Sequence, residues 1–411
     1  MLAGLRRHQR TTFLVASGLS TAGSFAGLTA KGWILIDGSN NPLLLALHFA
    51  AFALPSLVVS GAAGVLTDRL GSERVLIRAQ WALFGAGVLG AVAIPIARGS
   101  TQMALLLLST LLVGIASTYE VTARSKYCAL LVDEPEQLAP YLASFSVMFN
   151  VGTLVGPPVG GWLLALTGPT TALSLDAATY LLPVATLVWL LQPHRSREQT
   201  SRGAPAADAT LLSAWRQCGP VLRHVLRFSA LACLAVFFHP SLAPLMARKV
   251  LGASPQALGT FTAVLAAGSI CGGLVLQRHS SALSGRPGLL LGFCTLITGL
   301  AQLGMAASNG PVLGLMMTFM IGAGIACLLT GSDLIAQVGS PQGIRGRMAG
   351  LGQIAFLGGG GLSGLVAAVI TMAWGLATAF VLLGALGCGL GALELLRHHR
   401  TRLQSRPLRS A

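Results

Sequence analysis

Lys31, Glu120, Arg124, Asp176, His239, Asp333 and Gln337 interrupt stretches that are otherwise hydrophobic. A charge held at the centre of a bilayer-spanning helix costs about 2.5–3.5 kcal/mol on insertion scales, so such residues mark a pathway or a proton site. The acids Glu120, Asp176 and Asp333 suit a group that takes up and releases a proton, and the sequence does not rank them. Lys31 with His239 would make a cationic site in the outer part of a cavity, suited to an anionic substrate. Each residue has a structural alternative. Glu120 and Arg124, four apart, would form a helical ion pair closing an inner gate with Arg74. Asp333, one turn before Gln337, would pair with Arg345 or Arg347. Asp176 would cap or pack a helix. Lys31 would snorkel to the outer interface. His239, followed by Pro240, would satisfy backbone groups freed by the proline. No P-loop, H-E-x-x-H or G-x-S-x-G spacing accompanies these residues, so neither an enzyme nor an ATP-driven pump is expected. The seven cysteines form no C-x-x-C pair and read as free thiols; no metal or other cofactor is expected.

The elements that must hold these residues are membrane helices. Of 411 residues, 54% are hydrophobic and 9% charged, and the mean hydropathy is +0.73. A soluble chain would need far more charge. About 20 apolar residues cross a bilayer core. Twelve stretches qualify, near 12–36, 43–66, 75–97, 101–124, 138–165, 170–191, 227–247, 256–277, 287–307, 311–335, 349–372 and 375–396. The formal net charge of +15 sits in short clusters between these stretches. That pattern suits lipid head groups and topology and does not suit nucleic acid. With the N-terminus inside, nearly every cluster from Arg6 to Arg409 falls on the inner side, and only Arg98, Arg248 and Lys249 fall outside. Both termini are therefore expected in the cytoplasm, with the chain in the cell inner membrane. The basic start lacks a cleavage site and reads as a retained first span.

The longest polar break, 192–224, reads as a cytoplasmic linker between bundles 1–191 and 225–411, the second ending in a basic tail. Within it, 211–226 reads as a helix lying on the inner membrane face. The halves echo each other: Gly64 to Arg69 after the second stretch has the spacing of Gly273 to Arg278 at the end of the eighth. The expected fold is an all-α membrane protein with twelve transmembrane helices in two pseudo-symmetric six-helix bundles.

Three segments carry a resemblance. Gly64-Val-Leu-Thr-Asp68-Arg69-Leu-Gly71-Ser-Glu73-Arg74 resembles the signature loop between spans two and three of the major facilitator superfamily. Gly64 would permit close packing, Gly71 would supply a turn, and Asp68 would face the positive end of span eleven. The family often has a basic residue where this chain has Ser72, leaving Arg74 to complete a latch. In span five, Gly152, Gly156, Pro157, Gly160 and Gly161 resemble the glycine- and proline-rich motif of the superfamily's exporters; the glycines would allow tight contact and Pro157 would bend the helix. Pro341 to Met348, containing Arg345 and Arg347, resembles an inner loop of the drug and siderophore exporters. The finer resemblance, through Ala165 to Tyr180, Gly285 to Leu291 and Leu393 to Arg397, is to the enterobactin (siderophore) exporter and macrolide-efflux branch. It implies a monomeric exporter of a siderophore, serving iron homeostasis by proton antiport with alternating access. A multidrug or macrolide-type efflux pump is the alternative.

Overall fold

A computed structural model describes residues 2–131, 135–190, 215–284, 286–339 and 345–404. Among the described residues all regular structure is helical. Eleven stretches among the described residues are long and apolar enough to cross a membrane, and Gly358–Trp374, within the helix Arg345–Trp374, adds the eleventh span of the expected twelve. The chain divides into two compact units, Met1–Pro205 with Gly252–Ala263, and Ala206–Leu251 with Val264–Ala411.

In the first unit, span one (Leu2–Ser39) runs along span five (Pro135–Thr167), and span three (Ser72–Ile96) along span four (Gly99–Leu131). Span six packs on spans one and three. In the second unit, span nine (Pro287–Ala307) lies between span ten (Pro311–Val338) and span twelve (Leu376–Gln404), and span seven packs on span eleven. Span eight (Pro255–Ser284) and span ten meet through small residues. Ser269 donates to the Gly322 carbonyl at 3.2 Å, and Cys327 Sγ lies 3.0 Å from that of Gly272. Without a hydrophobic drive between helices in lipid, such close approach supplies much of the attraction.

Spans two, six and seven are each interrupted, and proline explains all three. A proline ring clashes with the carbonyl four residues earlier and brings no N–H of its own. Span two breaks at Leu54 between Pro42–Ala53 and Pro55–Leu70. Span six breaks at Tyr180, ahead of Pro183, between Pro169–Thr179 and Leu181–Ala185. Span seven breaks at Phe237 and Phe238, ahead of Pro240, between Pro220–Val236 and His239–Leu251. The carbonyl freed there belongs to Val236, and the fully buried Gln302 of span nine donates Nε2 to it at 3.0 Å. Replacing Gln302 by leucine leaves that carbonyl to the His239 ring alone. The loss should be about 1–3 kcal/mol, read as a lower unfolding midpoint of the detergent-solubilised protein; an unchanged midpoint would mean another donor takes over.

Span seven begins at Pro220, seven residues ahead of the apolar run that announces it in sequence, and so takes in the last part of the expected surface helix 211–226; residues 192–214 of the expected linker, with 211–214 of that helix, lie outside the described residues. Arg223 and His224 hide the start. Arg223 Nε donates to the Cys218 carbonyl at 3.1 Å, and His224 meets the end of span twelve, so polar residues sit inside the helix.

Candidate functional site

The interior of the first unit holds a buried polar cluster built from four spans. Lys31, 3% exposed, donates Nζ to Ser109 Oγ at 2.8 Å, and the Ser109 hydroxyl in turn donates to the Ala86 carbonyl at 2.7 Å. The Lys31 stem runs inward past Gly90 of span three, where a Cβ would lie 2.9 Å from Lys31 Cε. Lys31 therefore does not snorkel. Asp176, 4% exposed, packs over Gly27 of span one. It lies toward the C-terminal end of the helix Pro169–Thr179, whose N-cap is Gly168, so the helix-cap reading is overturned. His48 of span two sits beside them, with Nε2 2.8 Å from the Leu28 carbonyl and Nδ1 3.0 Å from Thr110 Oγ1. A small cavity joins these groups, lined by Ser24, Lys31, Thr110, Asp176 and Tyr180 among others. Lys31 and Asp176 face each other there without a direct ion pair. Asp176 Oδ1 is buried with no hydrogen-bond partner, and the Tyr180 hydroxyl, close to the carboxylate and to Ser24, also stands outside bonding geometry. Buried opposite charges with unmade hydrogen bonds beside a small cavity are costly for structure alone, which makes the cluster a candidate functional site.

At another end of the same unit Glu120 and Arg124 form the i,i+4 pair, 2.9 Å apart and both buried. Arg124 lies over the Phe145 ring at 5.5 Å. Arg74 is exposed, as is Arg69, so the pair is completed within span four. Asp68 also finds its cation on span four: it is bonded to Lys126, which reaches the Gly64 carbonyl at 3.4 Å. Lys126, and not Arg74, supplies the basic partner. Gly71 makes the turn at φ +90°, a conformation that favours glycine. Gly64 is not a close-packing position in this structure: a Cβ there would meet nothing within 4 Å, and the same holds for its echo Gly273.

The span-five glycines form a seam against span one. Gly152 faces Thr21 and Ala22, Gly156 faces Ala22 and Phe25, and Gly160 faces Ala26. Gly161 faces Gly259. Pro157 is half-buried in a helix that continues unbroken to Thr167.

In the second unit His239 is 2% exposed, its Nδ1 has no partner, and its ring stands edge-on to Phe237. The Val236 carbonyl freed beside it is met by Gln302, which sequence reasoning missed, and His239 also lies against it. Lys31 and His239 belong to separate units, each enclosed in its own. Asp333 packs against Gly352, its Oδ1 2.8 Å from a Cβ built there. The side chains of Gln337, Arg345 and Arg347 lie outside the described residues. A second buried acid went unread: Glu394, 6% exposed, accepts from His224 Nε2 at 2.9 Å, while Arg397 donates to His224 Nδ1 at 2.9 Å. In sequence Glu394 lies at the end of the last apolar run, and nothing in the spacing of residues 224 and 394 signals that they meet.

A family described as transmembrane secretion effector matches residues 1–406. The multidrug efflux pump Tap of Mycolicibacterium fortuitum is 25% identical over 407 residues, covering 94% of this chain and 96% of the pump. The synaptic vesicular amine transporter of Bos taurus is 28% identical over 204 residues, half of this chain and 37% of that protein. The chain thus spans about a third of the vesicular transporters it matches. Among solved structures, the nucleoside transporter NupG (D323A mutant) aligns with a TM-score of 0.73 at 13% identity, covering 95% of this chain and 99% of that one. A bacterial homologue of the human lysosomal transporter Spinster, inward-facing and occupied, aligns at 0.71 and 13%, covering 98% and 99%. At such identities the likeness is one of fold: the major facilitator arrangement.

Proposed function

Since the chain belongs to the transmembrane secretion effector family, we propose that it is a secondary transporter exporting small organic molecules across the cytoplasmic membrane in exchange for protons. The observation that carries this reading is the near end-to-end similarity to a multidrug efflux pump, which takes in both halves of the chain. Two bundles would rock about a site between open states, as repeats of this kind do, and the transporter would act as a monomer. The interior cluster supports a broad cargo range. Lys31 faces Asp176, so the pair offers no surplus positive charge to select an anion.

The siderophore reading is second. It rests on the sequence likeness through Ala165 to Tyr180 and Gly285 to Leu291. One pair of assays separates the two in an efflux-deficient bacterium carrying the gene. Ethidium should leave loaded cells faster than in the empty-vector strain, and an uncoupler should abolish the difference. Under iron starvation, a catecholate siderophore should reach the medium no faster. Siderophore release without ethidium efflux would reverse the order, and no effect on either would remove the exporter reading.

The orientation proposed for this activity has both termini and the linker that precedes Pro220 in the cytoplasm, on the Lys and Arg asymmetry. Alkaline phosphatase fused after Ala206 or Ser410 should stay inactive, and green fluorescent protein should fluoresce at both. An active phosphatase at either site would overturn the topology.

A further inference from the structure

We infer that Asp176 carries the exchanged proton and that Lys31 is its fixed countercharge, both inside the first unit; this rests on the exporter reading and assigns its coupling site.

The placement carries the inference. Asp176 is enclosed, yet Oδ1 has no partner and the residue lines an internal cavity with Lys31 and Tyr180. A buried polar atom left unpaired is costly, and a water in the cavity would satisfy it. Lys31 has three donor hydrogens and spends one on Ser109. The rest of the shell is fixed. Span one adds Ser24, and span two adds His48, whose two ring nitrogens already meet Leu28 and Thr110. Span three contributes Gly87 and Gly90, which bring the backbone close and carry no charge. Span four contributes Ser109 and Thr110, with Glu120 acting on Tyr180 from further along.

The step balances as a proton transfer. A hydronium reaching the cavity gives its proton to Asp176 Oδ1, an O–H bond forms and water is left; release on the other side reverses it. With Asp176 ionised, the Lys31–Asp176 pair is neutral. With Asp176 protonated, Lys31 is a lone buried ammonium, which a low-dielectric interior does not tolerate. Proton binding thus destabilises the closed compartment and favours a state in which water or cargo reaches Lys31. The break in span six, one helical turn after Asp176, gives that element a place to move.

Infrared difference spectra of the purified full chain in phosphatidylethanolamine–phosphatidylglycerol vesicles, taken between alkaline and acidic pH, test this without any cargo. A protonated-carboxyl C=O band should appear in the wild type, vanish in Asp176→Asn, persist at a shifted frequency in Asp176→Glu, and persist in Asp333→Asn. A full band in Asp176→Asn overturns the assignment. Lys31→Met should lower the yield of folded protein and Lys31→Met/Asp176→Asn should restore it; equal yields of Lys31→Met and wild type would overturn the countercharge role. In the same vesicles, Asp176→Asn should still exchange ethidium between the two sides but should not accumulate it when a pH gradient is imposed. A wild type that shows the band yet moves no ethidium would leave the proton site standing and remove the cargo reading.

Discussion

Gly156→Leu should abolish export and sharply reduce the folded protein recovered from the membrane. A Cβ at Gly156 would sit 2.5 Å from the Ala22 carbonyl oxygen and 2.8 Å from Phe25 Cβ. The nearer of these is backbone, so no rotamer relieves the clash, and span one has to move away. Overpacking of this kind costs typically about 1–3 kcal/mol in a well-packed core. Here the displaced element also carries Lys31, so a shift tolerable for stability still misplaces the interior charge. Val155→Leu, on the exposed face of the same helix, is the control and should be neutral. Size-exclusion profiles with ethidium efflux decide the matter: normal efflux by Gly156→Leu would show that the seam is dispensable.

Arg124→Leu should be the most destabilising substitution of a charged residue outside the Lys31 cluster. It leaves Glu120 buried without its cation and removes the guanidinium from the Phe145 ring. Breaking a buried pair by deleting one partner costs about 3–5 kcal/mol, whereas removing both costs far less. Glu120→Gln/Arg124→Leu should therefore recover most of the unfolding midpoint lost in Arg124→Leu. Arg124→Lys should fall between, since an ammonium keeps the charge and loses the planar stacking. Equal midpoints for the single and double variants would mean that water reaches Glu120 freely.

The helices were legible because a bilayer imposes one requirement on every span, a long apolar run, and a local window detects it. The span-five seam was legible for a related reason: glycines at i, i+4 and i+8 share one face, whatever they touch. The interior cluster was legible only as separate residues. Lys31 and Asp176 stood out as charges in apolar runs, but that they share a cavity, with Phe52 and Thr110 at its wall, depends on how spans one, two, four and six are turned. Hydropathy carries no information about rotation when every face is apolar. Lys126 was overlooked as the partner of Asp68 because span four continues as helix to Leu131, past the end of its apolar run. Gln302 and Glu394 were overlooked for a similar reason. Their partners, Val236 and His224, are 66 and 170 residues distant in sequence.

The interrupted spans also set a time scale. Pro42–Ala53, Pro169–Thr179 and His239–Leu251 are helices of 12, 11 and 13 residues, each ending or starting at a break within its span. A piece that short can fray from the break without disturbing the rest of its span, because few hydrogen bonds need to open together. The uninterrupted helices of spans one, four and five have no such free end in mid-span. Amide deuteration should thus enter the apolar layer first around Leu54, Tyr180 and Phe237, and last in the middle of spans one and five.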